Sequence, residues 1–279
     1  MDKKVWYITG ASKGLGLALV KKLLQAGYRV AATSRSVETL QDAVGTGKED
    51  SFLPLEVDLA DSASITASVQ QAVQHFGRID VVVNNAGFGI GGSVEELSEK
   101  EVADSFGVNV FATINVIKSA LPYMRKQQSG HIINISSIAG FAAATGWAMY
   151  AATKFAVIGL SEVLADDVRE LGINVTVVAP GAFRTEFLSE QSLVLSENKI
   201  DDYQAIRDSH SRYLNMNGKQ AGDPQKAADV FIQLAEMPEP PVRFFMGTDA
   251  YNRAVQKIDL LTSELEKWKE LSFVTDFKE

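Results

Sequence analysis

Tyr150 and Lys154 stand four residues apart in Tyr150-Ala151-Ala152-Thr153-Lys154, and Ser137 lies thirteen residues upstream of the tyrosine. On a helix this spacing puts the two side chains one turn apart on the same face, so the lysine ammonium is held close to the phenol. A free tyrosine titrates near pH ~10, too high for efficient proton exchange at neutrality. A fixed positive charge nearby favours the phenolate and draws that value towards the working range. Ser137 follows the strand-like run Ile132-Ile133-Asn134-Ile135-Ser136. There its hydroxyl could hydrogen-bond a substrate oxygen beside the tyrosine. One acid/base and one oxyanion partner suit chemistry between a carbonyl and an alcohol.

The spacing alone also fits a surface tyrosine beside a helix-stabilising lysine, so the elements that would position the pair decide between the two readings. Val5-Trp6-Tyr7-Ile8 is a short β-prone run, followed at once by Thr9-Gly10-Ala11-Ser12-Lys13-Gly14-Leu15-Gly16. Leu15, Ala18, Leu19, Leu23 and Leu24 then recur at helical spacing until Gly27. Strand, glycine-rich turn and helix in that order let the backbone approach a pyrophosphate at a helix N-terminus. A second strand-like run, Arg29-Val30-Ala31-Ala32-Thr33, ends in Ser34-Arg35. An acidic residue at this strand end would bind the ribose 2′-hydroxyl of NAD, whereas an arginine accommodates the 2′-phosphate of NADP. Arg35 is present, Lys13 adds a second cation and no acid stands there, so NADP(H) is favoured, with NAD(H) left as the other possibility.

A length of 279 residues with 46% hydrophobic content fits one large α/β domain. The net charge of −8 argues against nucleic acid or an anionic membrane as the main partner. The chain has no cysteine, hence no disulfide framework and no thiolate metal site. His75, His131 and His210 lack partners at metal-ligand spacing; the first two are expected on the surface, and His210 could touch substrate. Trp6, in a short apolar strand, reads as core or interface. Lys3 and Lys4 precede only four apolar residues, so no signal peptide is expected at the start. No run is expected to approach the roughly 18 apolar residues of a membrane span, and the cytoplasm is the expected location.

Further strand-like runs occur at 52–57, 81–83, 132–136, 175–179 and 242–246, with helical patterns at 99–127, 150–171 and 224–236. This alternation predicts a Rossmann-type, doubly wound α/β fold: a parallel sheet of about seven strands with helices on both faces. Ligands in such sheets sit beyond the carboxyl ends of the strands. The glycine turn, Asp58, Asn84-Asn85-Ala86-Gly87, Ser136-Ser137 and Pro180-Gly181 all fall at those ends.

In combination and order these motifs resemble the short-chain dehydrogenase/reductase family, of the compact single-domain type, over about residues 4–247. The resemblance implies a cofactor turn at Gly10, Ser12, Lys13, Gly14, Leu15 and Gly16, with Ser34 and Arg35 at the end of strand two. It implies adenine contacts from Asp58 and Leu59, and ribose contacts from Asn85, Ala86 and Gly87. It implies nicotinamide contacts from Pro180, Gly181, Phe183 and Thr185. Asn109 at a kink in the long helix, Ser137, Tyr150 and Lys154 match the family's catalytic tetrad. In the implied mechanism Tyr150 protonates the substrate oxygen and Ser137 hydrogen-bonds it. Lys154 lowers the tyrosine pKa and binds the nicotinamide ribose, while Asn109 holds a relay water. No metal is implied, and a homodimer or homotetramer is. Ser136 competes with Ser137 for the hydroxyl role; adjacent strand residues face opposite ways, and the family's offset selects Ser137.

The segments that build the substrate pocket in this family read Ile138-Ala139-Gly140-Phe141, Gly146-Trp147-Ala148-Met149, and Phe183 with Phe187-Leu188. They favour a lipophilic ketone, aldehyde or secondary alcohol. Residues 186–222, polar and without clear periodicity, are expected to form a substrate lid within a catalytic domain spanning 1–247. Residues 248–279 extend that domain with a helical pattern in Ile258, Leu261, Leu265 and Trp268 that could cover the pocket or modify an oligomer interface. Two other functions fit the same fold. Epimerase or dehydratase chemistry on a nucleotide sugar needs more substrate-binding chain after Lys154, and a nucleotide-sensing protein without turnover would not need the tyrosine and lysine.

Overall fold

The strand-like runs pair side by side because helices follow nearly every one of them and cover both sheet faces. In chain order the elements are β1 (Val5–Ile8), α1 (Gly14–Gln25), β2 (Arg29–Ser34), α2 (Val37–Val44), β3 (Phe52–Glu56) and α3 (Ser62–Phe76). Next come β4 (Val81–Asn84), β5 (Gly89–Gly91), α4 (Glu99–Phe106), a π-helical segment (Gly107–Phe111), α5 (Ala112–Gln127), β6 (Gly130–Ile135), α6 (Ala148–Val168) and β7 (Ile173–Pro180). The chain ends with β8 (Leu193–Leu195), α7 (Gln204–Leu214), α8 (Pro224–Glu236), β9 (Arg243–Met246) and α9 (Thr248–Phe273). The structure, a computed structural model, describes residues 3–45, 50–189 and 192–277.

Seven strands form the main sheet in the order β3-β2-β1-β4-β6-β7-β9, all parallel. The order reverses between β1 and β4, where Tyr7 pairs with Ala31 on one side and Val82 on the other. Such a reversal opens a crevice at the strands' carboxyl ends. Alternation along β1 feeds two cores. Trp6 and Ile8 pack with Leu19 and Leu23 of α1 and Phe231 and Leu234 of α8. Val5 and Tyr7 face Ile65 and Val69 of α3, Val116 and Met124 of α5, and Ala165 of α6.

Local chemistry sets several helix starts. Asp61 caps α3, accepting from the Ala63 and Ser64 amides, and Ser98 with Glu101 forms a capping box on α4. The helical pattern at 99–127 is a single rod in sequence, but a π-helical turn at Gly107–Phe111 widens it and carries Asn109. β6 ends at Ile135, so Ser136 and Ser137 belong to the exit rather than the strand.

Residues 186–222, read from sequence as a long lid loop, contain β8 and α7. Strand β8 pairs in parallel with β5, and α7 buries only Ile206, Ser209 and His210. Of those three only Ile206 is apolar, which leaves too faint a period to detect. Glu96 anchors this segment: its buried carboxylate pairs with Arg207 and accepts the Ile200 amide at 2.8 Å. Stranding such a carboxylate costs about 3–5 kcal/mol, which holds the segment in place. Residues 190 and 191 of the expected lid lie outside the described residues.

Two further expectations are corrected. His131 is buried in β6 rather than exposed, shares a 2.9 Å hydrogen bond with the Thr176 hydroxyl, and is pulled down to about 4 by burial, then by the Lys4 charge. Ala148–Leu171 is long and apolar enough by length and composition to cross a membrane, with mean hydropathy 1.3, although no such segment was expected. Here it is the helix covering β7, with Val157 and Ile158 packed on Val177. His75 is exposed on α3 and Trp6 is fully buried in the core.

Candidate active site

The exits of β1 and β4 are stitched into one floor. The Thr9 hydroxyl accepts from the Asn85 and Ala86 amides at 3.1 Å, and Asn85 Nδ2 donates to the Thr9 and Gly10 carbonyls at 2.9 Å. Gly10, at φ +65°, lies so close that an added Cβ would sit 2.7 Å from Ala86 Cα. Gly16 serves the same packing: a Cβ there would meet Asn85 Nδ2 at 2.5 Å. Helix α1 starts at Gly14 with no side-chain cap. Its first-turn amides and dipole are left for an anion. Below this floor, Asn84 Nδ2 donates to Asn134 Oδ1 at 2.8 Å, and Asn134 Nδ2 donates to Ser161 Oγ at 2.9 Å, tying β4, β6 and α6 together.

A cleft of about 1270 Å³ opens above these exits. Gly10, Ser12, Lys13, Gly14, Leu15, Ser34, Arg35, Asp58, Leu59, Asn85, Ala86, Gly87, Ser137, Tyr150, Lys154, Pro180, Gly181, Phe183 and Thr185 all line it. Gly16 and Asn109 do not; both sit behind the wall. Among the described residues, neither Lys13 nor Arg35 enters an ion pair. The fit to a dinucleotide therefore rests on the close-approach glycines, an uncapped helix start and two unpaired cations on one cleft wall.

Helix α6 presents Tyr150 and Lys154 to the same cleft, and both are almost fully buried. Lys154 Nζ lies 5.9 Å from the Tyr150 ring centre and donates to the Ile135 carbonyl at 3.0 Å. Burial pushes the Tyr150 phenol up to about 12, with the Ser137 hydrogen bond opposing and Tyr213 adding to the rise. Burial likewise pulls the Lys154 ammonium down to about 8. The expected depression of Tyr150 by Lys154 is thus absent here, because removing the phenolate from water outweighs a cation that burial also disfavours. Ser137 Oγ accepts from the Ala139 amide at 3.1 Å and turns its own proton to the Tyr150 oxygen. Ser136 turns instead to the Lys154 carbonyl, at 2.8 Å.

Asn109 braces the site from within. Its Oδ1 accepts the Phe88 amide at 3.0 Å, and its Nδ2 donates to the Phe88 carbonyl at 3.0 Å and to Thr153 Oγ1 at 3.2 Å. Thr153 in turn donates to the Tyr150 carbonyl at 2.8 Å. A Cβ on Gly87 would lie 2.9 Å from Asn109 Oδ1 and 3.3 Å from Lys154 Nζ, so that glycine is wedged between the two.

Of the sequence-named pocket segments, Ile138, Ala139, Trp147, Phe183, Phe187 and Leu188 reach the cleft, whereas Phe141 packs on Phe245 at 5.1 Å between ring centres. His210 does not line it; its Nε2 donates to the Gly146 carbonyl at 3.0 Å, and burial lowers its pKa. Sequence reading missed Tyr213 of α7, Met216 in the turn after it, and Asp249 and Arg253 of α9. Asp249 Oδ2 accepts the Ala182 amide at 2.8 Å, and a Cβ on Gly181 would fall 2.0 Å from its Oδ1. Arg253 donates to the Ala142 carbonyl. The first turns of α9 therefore hold both loops that flank Tyr150. The glycine at position 181 was the one sign of this contact in the sequence.

A family profile described as short chain dehydrogenase matches residues 4–193. Among curated relatives, an oxidoreductase of Botryotinia fuckeliana (BOA17) is 35% identical over 98% of this chain and 99% of its own length. A 3-ketodihydrosphingosine reductase of Bacteroides thetaiotaomicron is 36% identical over 88% of this chain and 89% of its own. A solved short-chain dehydrogenase from Streptomyces avermitilis superposes with a TM-score of 0.91 at 35% identity, covering 99% of this chain and 100% of that one. ElxO with NADP bound (TM-score 0.73, 30% identity, 88% and 96% covered) and a Burkholderia phymatum homologue in complex with NAD (0.77, 25%, 93% and 95%) share the fold.

Proposed function

The chain belongs to the short-chain dehydrogenase/reductase family and is an NAD(P)-dependent oxidoreductase, and from this premise we propose that it uses NADP(H) to interconvert a lipophilic ketone or aldehyde with its alcohol. The observation that carries this reading is the meeting of Tyr150, Ser137 and Lys154 in the cleft that Lys13 and Arg35 also line. The Bacteroides relative named as a 3-ketodihydrosphingosine reductase, and the apolar wall of Ile138, Trp147, Phe183, Phe187 and Met216, support the substrate class.

Gly10, Gly14 and the start of α1 would hold the pyrophosphate, Arg35 and Lys13 the 2′-phosphate, and Asp58 and Leu59 the adenine. Asn85, Ala86 and Gly87 would border the adenosine ribose, and Pro180, Gly181, Phe183 and Thr185 the nicotinamide. A nicotinamide held there would supply the hydride in reduction and accept it in oxidation. Tyr150 donates its phenolic proton to the substrate oxygen in reduction and withdraws it in oxidation. Ser137 donates its hydroxyl proton to the same oxygen and stabilises developing alkoxide. Lys154 spends one N–H on Ile135 and keeps two for ribose hydroxyls and the phenol. Asn109 positions Phe88 and Gly87 and lies beside Lys154, where a relay water to solvent would sit. The 186–222 segment, carrying Phe187, Tyr213 and Met216, closes the substrate end as a lid.

Absorbance at the reduced-nicotinamide band, read across a panel of lipophilic ketones and alcohols, tests the assignment. NADPH-dependent loss of signal with apolar ketones is expected; cofactor binding without turnover on any member would favour a sensing role instead. The pH dependence follows from the two buried groups. Lys154 loses its charge as pH rises through about 8, so ketone reduction should hold below that value and decline above it. Alcohol oxidation should rise with pH, because phenolate is the base and burial holds Tyr150 high. With saturating cofactor, parallel profiles in both directions from neutrality to alkaline pH would contradict this division of roles.

A further inference from the structure

The loop that would border the nicotinamide, residues 180–183, is tied to α9 by a carboxylate. Asp249, in the first turn of that helix, accepts the Ala182 amide on Oδ2 at 2.8 Å, and among the described residues that amide has no other partner. The carboxylate fills the place that a side chain on residue 181 would take: a Cβ there would lie 2.0 Å from Oδ1 and 2.4 Å from Cγ. Gly181 does not have a positive φ, so its backbone does not demand glycine; the carboxylate does. Asp249 is itself held in place. Strand β9 pairs with β7 up to Pro180 and Met246, which brings the start of α9 to this sheet edge. Ala250 and Ala254 pack on Ile138, the residue after Ser137, with Phe141 and Phe245 around them, and Arg253 donates to the Ala142 carbonyl. One helix end therefore touches the loop that follows Ser137 and, through Asp249, the exit of β7. A hydrogen bond to an ionised acceptor is roughly twice as strong as a neutral one.

We propose that Asp249 is a positioning residue for hydride transfer: by fixing the Ala182 amide it sets where the nicotinamide ring lies against Ser137 and Tyr150. This rests on the assignment of residues 180–183 to the nicotinamide end of the cofactor. Without the carboxylate the Ala182 amide turns to water, and the space beside Gly181 lets the loop shift towards α9. Misplacing the reacting atoms by about 1 Å costs about a hundredfold in rate. The adenosine end would not register that shift. It lies at the exit of β2, four strands along the sheet from β7, or about 19 Å at the spacing of paired strands.

Single-turnover hydride transfer, measured with the nicotinamide cofactor and carbonyl substrate that wild type uses best, tests the role. Affinities for that whole cofactor and for its adenosine fragment (2′,5′-ADP for NADPH, ADP for NADH) are measured beside it. Asp249→Ala should slow transfer about ten- to a hundredfold and weaken the whole cofactor, while fragment affinity and thermal unfolding stay near wild type. That split between cofactor and fragment needs no substrate. Asp249→Asn keeps an acceptor for the Ala182 amide and should restore most of the rate. Gly181→Ala puts a Cβ into the carboxylate's space, so it should slow transfer by itself yet cost little more when added to Asp249→Ala. A wild-type rate in Asp249→Ala overturns the proposal, as does an Asp249→Asn protein no better than Asp249→Ala, or fully additive losses with Gly181→Ala. Fragment affinity falling together with the rate would also overturn it, since that marks general damage to the fold. Cofactor preference and substrate class are read separately, from the wild-type rates, and their failure leaves the comparison among variants intact.

Discussion

Tyr150→Phe is expected to cut turnover by about 10²–10⁴-fold, the usual contribution of a positioned acid/base, while NADPH affinity stays near wild type. The ring keeps its packing against Phe187, at 5.9 Å between centres; only the proton donor is lost. Lys154→Met should damage both turnover and cofactor affinity, because the ammonium is the hydrogen-bond donor kept for the ribose hydroxyls and the phenol. It also removes the donor that ties α6 to the Ile135 carbonyl. Lys154→Arg keeps a charge with altered donor geometry in a nearly solvent-free site, so partial activity is the most it should retain. Stopped-flow turnover and fluorescence titration of NADPH on the three variants separate the roles. A Tyr150→Phe enzyme with near-wild-type turnover on its own substrate would hand proton transfer to another group and leave the cofactor site standing.

The second large effect is on cofactor choice. Arg35 lies at the end of β2 on the cleft wall, exposed and without an ion pair among the described residues, with Lys13 on the same wall. A charge-assisted hydrogen bond to phosphate contributes about 1.5–3 kcal/mol, or about ten- to a hundredfold in affinity. Arg35→Asp should therefore weaken NADPH by about that factor and improve NADH, since a carboxylate there repels the 2′-phosphate and accepts from a ribose hydroxyl. Lys13→Ala should weaken NADPH by less and leave NADH unaffected. The ratio of the two dissociation constants in wild type and variants is the measurement. Comparable wild-type affinity for both cofactors would remove the basis of this reading.

The strands, the crossover helices and the residues at the strand exits were legible because each is written locally. Apolar runs mark β1, β2, β4, β6 and β7; the glycine turn sits directly before α1; and Tyr150 with Lys154 is a one-turn spacing on α6. Glycines at 10 and 16 announced close approach, though not that Ala86 and Asn85 are what they approach. What escaped the sequence depends on neighbours distant in the chain. Tyr213 and Met216 reach the cleft only because buried Glu96, over a hundred residues earlier, fixes Arg207 of α7. Asp249 and Arg253 border it because β9 delivers the start of α9 to the Ala182 and Ala142 loops. The ionisation of the site was also beyond sequence reading: the spacing of Tyr150 and Lys154 argues for a depressed phenol, but burial, a sum over all surrounding atoms, raises it. Residue order thus determined which groups this protein can bring to the sheet edge. Tertiary packing alone decided how dry those groups are and which segments complete the cleft.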